Sequence, residues 1–148
     1  MLMDKKNNFT YESRSTKDTY RIGAEIAGYL KAGDIVILNG ELGAGKTAFV
    51  QGAAKGLGVN GYVNSPTFTI MNRYEGRVNV YHFDTYRIND FDELLAVGAE
   101  EFIYGDGVSF VEWGEMICGE LLVEPVVVDI KKSEEDICGR VISVQFPR

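Results

Sequence analysis

Cysteine and histidine are scarce in this 148-residue chain: Cys118 and Cys138 are the only cysteines and His82 the only histidine. So few, so far apart, make neither a disulfide framework nor a zinc site, and they suit a reducing cytoplasm. Positive charge is also short, with 15 Lys and Arg against 22 Asp and Glu and a net charge of −7. That balance disfavours unaided binding to a phosphate backbone, which depends on Lys and Arg displacing counterions, so any nucleic acid would be reached through a partner. No run approaches the ~20 apolar residues that span a bilayer, and the N-terminus MLMDKKNNFTYE has no apolar signal core. The expectation is a cytoplasmic protein with no membrane association. Repeats, low-complexity segments and linkers are missing too. With 45% hydrophobic and 25% charged residues, the chain reads as one globular domain over residues 1–148, long enough to bury its own core.

Hydrophobic periodicity supplies the elements. Asn8 to Glu12 reads as a short strand. Ser15 to Leu30 reads as a helix, with Ser15 and Asp18 in capping-box spacing and Ile22, Ile26 and Leu30 on one face. Asp34 to Asn39, DIVILN, is a continuous β-branched apolar run, as in a strand buried on both faces of a parallel sheet. A helical pattern starts at Lys46 and stops near Gly56 and Gly58. Thr67 to Tyr74 and Val78 to Asp84 read as strands joined at Glu75-Gly76, and Phe91 to Val97 as a short helix after Asn89-Asp90. Val108 to Val111 reads as a buried strand, Gly114 to Leu122 as a helix, and Pro125 to Lys131 and Arg140 to Phe146 as terminal strands. The sum is an α/β fold: a mixed parallel and antiparallel sheet flanked by helices.

The chemistry concentrates between the DIVILN strand and the helix after it. Gly40-Glu41-Leu42-Gly43-Ala44-Gly45-Lys46-Thr47 fits G-x-x-x-x-G-K-[ST] at every fixed position, with the strand before and helix after that a P-loop NTPase requires. Glycines let the backbone curl so that its N–H groups converge on one centre, and the helix start adds partial positive charge. A multiply charged anion is the natural guest. Lys46 would reach the β- and γ-phosphates of ATP, and the Thr47 hydroxyl would take one place around Mg²⁺. A plain helix-capping turn needs neither residue.

A P-loop also needs an acid beside the magnesium, at the end of a neighbouring apolar strand. Asp84, closing VNVYHFD, meets that description, and Glu112, closing VSFVE, is a second strand-end carboxylate; a helix cap or a solvated acid is the plainer account of each. Together they would let one hold metal and the other orient water. His82, with no serine, cysteine or metal-spaced partner, is assigned no role. Trp113 is a packing residue or a lid over the nucleotide. Arg73 and Arg87 are more simply solvated or structural than phosphate ligands. No N-K-x-D pattern for reading guanine occurs, which favours ATP over GTP.

Four segments in order, GELGAGKT (Gly40 to Thr47), VNSPTFTI with its Ser65-Pro66-Thr67-Phe68 core, YHFDTYR (Tyr81 to Arg87) and VEWGE (Val111 to Glu115), make most of the chain resemble the TsaE (YjeE) family. These are the P-loop ATPases of bacterial tRNA threonylcarbamoyladenosine biosynthesis. The resemblance implies that Asp84 is the magnesium-side aspartate and that Thr67 lies in a switch-like segment near the γ-phosphate. It implies that Glu112 and Trp113 are needed for ATP turnover. Candidate catalytic residues are then Lys46, Glu112, Trp113 and Thr67. Nucleotide contacts would come from Glu41, Leu42, Gly43, Ala44, Gly45, Lys46 and Thr47, with Thr16 at the first helix start, and metal contacts from Thr47, Asp84 and Glu112. Thr85 stands where the family usually has leucine, a departure that touches no ligand. The resemblance also implies TsaB and TsaD as partners, TsaD carrying the transfer chemistry and contacting tRNA in this chain's place. Two other readings share the P-loop: a small-molecule kinase, which lacks a visible arginine-rich lid insertion here, and a nucleotide-binding assembly module without turnover.

Overall fold

The computed structural model describes residues 2–3 (backbone only), 8–41, 43–61, 63–64, 71–85, 90–96, 98–113 and 119–147. Eight strands form one sheet: β1 (Leu2–Met3), β2 (Asn8–Ser13), β3 (Ile35–Asn39), β4 (Met71–Glu75), β5 (Asn79–Asp84), β6 (Val108–Glu112), β7 (Val126–Lys132) and β8 (Arg140–Gln145). Among the described residues, four helices accompany them: α1 (Thr16–Ala27), α2 (Lys46–Gly56), α3 (Phe91–Ala96) and α4 (Glu100–Ile103). The strand order is β1-β2-β8-β7-β3-β6-β5-β4. At its centre β7, β3, β6 and β5 run parallel, and the remaining neighbours pair antiparallel.

The central strand explains the two layers around it. In β3, Val36 and Leu38 pack with α1 and α2, while Ile35 and Ile37 face Leu94 of α3 and Ile103 of α4. Burial on both faces is why that stretch is apolar at every position rather than at alternate ones. Helices α1 and α2 lie against each other closely enough that a Cβ on Gly52 would sit 1.8 Å from the Tyr20 carbonyl oxygen, and one on Gly23 2.2 Å from that of Phe49. Only glycine permits this approach.

Helix α1 opens as its sequence predicts: the Ser15 side chain accepts from the Asp18 amide, and the Asp18 carboxylate accepts from the Arg14 amide. It stops at Ala27 rather than Leu30, because residues 28–30 donate to carbonyls three positions back, tightening the last turn out of α geometry. Asp90 caps α3, accepting from the Glu93 amide. The predicted strand from Thr67 appears as β4 from Met71 on, with 67–70 outside the described residues. Of the helix predicted over Gly114 to Leu122, residues 114–118 lie outside the described set, and Gly119 and Glu120 form only a 3₁₀ turn. Two elements escaped the periodicity, β1 with two residues and α4 with four; both are too short to show a period.

Candidate functional site

Three parallel strands finish together at the glycine-rich loop. Leu38 of β3 pairs with Glu112 of β6, and Glu112 pairs with Asp84 of β5, so both strand-end acids arrive beside the turn from β3 into α2. Neighbouring strands lie about 4.8 Å apart, which makes this one site rather than two. Asp84 shares a sheet face with His82 and Val80, two and four residues back, and Val80 packs on the α1–α2 side.

The loop has the curl its sequence requires. Gly43 and Gly45 take φ of 81° and 110°, which L side chains rarely adopt. Gly45 is also the N-cap of α2 and offers no side-chain cap to the helix amides. Arg140 of β8 braces the loop from outside: its Nε donates to the Ala44 carbonyl (2.9 Å) and its Nη2 to that of Gly43 (3.3 Å). On the other edge of the Gly43–Ala44 peptide, the Ala44 amide donates to the Glu41 carbonyl at 3.0 Å.

Lys46 is 5% exposed. Its ammonium donates to the Gly40 carbonyl at 2.6 Å and lies 3.3 Å from the centre of the Trp113 ring, a cation–π contact worth about 2 kcal/mol when desolvated. Trp113 has a left-handed backbone, φ 64°, at a cost of about 1–3 kcal/mol for a bulky residue. Strain of that kind persists only where surrounding contacts over-determine it.

Glu112 is held from within the sheet. Its Oε2 lies 2.5 Å from His82 Nε2, and both side chains are buried. Facing a carboxylate, Nε2 carries the proton and donates. His82 Nδ1 is buried with no hydrogen-bond partner among the described residues. His82 is thus tied to the site although its sequence context assigned it nothing. The available signal was the H-x-D spacing, which on a strand puts both side chains on one face.

Thr16 lines a cleft of about 380 Å³ with Ser15, Thr19, Gly43, Gly45 and Arg140, so the start of α1 does reach the loop. A second cleft, about 480 Å³, runs along the other side, between Gly40, Glu41, Trp113, Asp129 and Lys132. Arg73 is exposed on β4. Leu42, Thr67 and Arg87 lie outside the described residues. For ATP with Mg²⁺ the donor chemistry fits: the loop curls at two positive-φ glycines beside a buried lysine. A hydroxyl on the first turn of α2 and a strand-end carboxylate, Thr47 and Asp84, are the hard oxygen donors Mg²⁺ takes alongside phosphate.

Comparison with known proteins identifies the relatives. The family model described as "Threonylcarbamoyl adenosine biosynthesis protein TsaE" matches residues 13–142. The chain is 43% identical over 119 residues to a Treponema pallidum protein named for tRNA threonylcarbamoyladenosine biosynthesis, TsaE, covering 80% of this chain and 88% of that one. It is 43% identical over 121 residues to the Bacillus subtilis TsaE protein, covering 81% and 75%. The crystal structure of Bacillus subtilis YdiB superposes with a TM-score of 0.77 and 34% identity over 93% of this chain and 84% of that one. With the family model matching residues 13–142 and relatives 43% identical over about four fifths of its length, the chain belongs to the TsaE family.

Proposed function

We propose that this chain hydrolyses ATP with Mg²⁺ as a partner-dependent switch in threonylcarbamoyladenosine modification of tRNA. The observation that carries the reading is the convergence of Asp84 and Glu112, in register on adjacent parallel strands, at the loop that seats Lys46. In this reading the loop amides and Lys46 hold the phosphates, and Thr47 and Asp84 hold the metal. When bound, the metal neutralises charge on the phosphate oxygens. Glu112, fixed by His82, would orient the attacking water or add an oxygen ligand to the metal. Trp113 covers Lys46 and excludes bulk water from the transfer site. Thr16 contributes at the nucleotide's edge. Thr67 senses the γ-phosphate, so that hydrolysis releases its segment.

The names of the relatives place them in tRNA modification, and the net charge of −7 supports leaving the tRNA to partners, TsaB and TsaD. Turnover by the chain alone is then slow. The test is ATP hydrolysis by the purified chain with Mg²⁺, alone and with TsaB and TsaD, with Lys46→Ala as blank. A slow Lys46-dependent rate that the partners raise is expected. A rate at the blank level in every mixture reduces the loop to a binding site and sinks the ATPase reading.

A further inference from the structure

Beyond the end of β5, Thr85 is 1% exposed although it carries a hydroxyl. Its amide donates to the Glu112 carbonyl at 3.1 Å. Its hydroxyl shares one proton between the carbonyls of Glu112 and Trp113, 2.9 Å from each. Two peptide planes flank the Trp113 Cα, and their relative rotation sets its φ and ψ. The first plane is pinned on both edges, because the Trp113 amide donates to the Leu38 carbonyl (3.2 Å) and the Glu112 carbonyl accepts from Thr85. The second plane is gripped at its carbonyl by the Thr85 hydroxyl. One side chain therefore holds both planes around a left-handed tryptophan.

The geometry points to Thr85 as a positioning residue: its hydroxyl locks the left-handed backbone of Trp113 and thereby keeps the indole over Lys46 and the Glu112 carboxylate in its seat. Thr85 touches no reacting atom. The device needs a hydroxyl at this position, because both carbonyls accept from Thr85 Oγ1. Its effect on turnover rests on the ATPase reading; its effect on the seat of Trp113 does not.

Trp113 is the only tryptophan in the chain, so its fluorescence reports its own surroundings. Thr85→Val keeps the branched shape and the backbone amide and removes the donor; Thr85→Ser keeps the donor. In protein without added nucleotide, Thr85→Val shifts the emission and makes it more accessible to acrylamide, and Thr85→Ser matches the parent. In ATP turnover, Thr85→Val lowers kcat on the order of tenfold with KM nearly unchanged, and Thr85→Ser restores it. Thermal unfolding of each variant is followed alongside, and Thr85→Ala replaces the valine variant if that one does not fold. Emission and quenching unchanged in Thr85→Val overturn the inference, whatever turnover does, as does a serine variant that behaves like the valine one. Altered emission restored by serine, in a protein whose parent shows no Lys46-dependent turnover, upholds the positioning role and removes the ATPase reading instead.

Discussion

At the residue scale, the buried hydrogen bond from His82 Nε2 to Glu112 Oε2 fixes which way a carboxylate points in a nearly dry place. Replacing the imidazole with a ring of similar size that cannot donate, His82→Phe, removes this donor from a buried carboxylate. The expected cost is about 1–3 kcal/mol of stability, read from the urea midpoint at unchanged slope. On the proposed ATPase reading, turnover falls as well while ATP affinity stays near the parent value. A variant as stable and as active as the parent would show that the carboxylate is oriented by something else. The effect of His82→Phe and that of Thr85→Val should not add, because both act on the Glu112–Trp113 pair and coupled neighbours share their losses.

At the element scale, α1 and α2 behave as one packed unit against the sheet, and the glycines where they touch set its spacing. Gly52→Ala would place a methyl 1.8 Å from the Tyr20 carbonyl, so the helices must part. A loss of at least about 2 kcal/mol in chemical denaturation is expected, together with weaker nucleotide binding, since α2 begins at Lys46. What was legible beforehand follows the same scale. The β3–loop–α2 unit could be read because its signals are contiguous: a doubly buried strand, fixed glycines, then a helical period. Asp84 and Glu112 could be read because each ends an apolar strand. The contacts of His82, Thr85 and Arg140 could not, because their partners lie 30, 27 and 96 residues away in the chain, and no local pattern encodes a contact made by strand order. The extent of α1 was overread by three residues because hydrophobic spacing continues to Leu30 while the hydrogen bonding does not.

At the scale of the whole molecule, Arg140 joins the last hairpin to the phosphate loop, giving β8 a part in a site otherwise built from β3, β5 and β6. Arg140→Met keeps the length of the stem and removes every donor. ATP affinity is expected to weaken on the order of tenfold, about 1.4 kcal/mol, measured by titration, with a smaller effect on the rate at saturating ATP. Equal affinities for parent and variant would mean that the loop holds its own curl.

The position of β8 carries one more consequence, for how the chain is made. It lies between β2 and β7, so Asn8 pairs with Gln145, and an early strand must wait for one of the latest. While the ribosome still covers β8, β2 and β7 each lack a neighbour and present open edges of the kind that invite pairing with other chains. The phosphate loop has by then been synthesised but lacks its Arg140 brace. A nascent chain therefore gains its full sheet and its finished nucleotide loop in the same late event, after translation has passed Gln145.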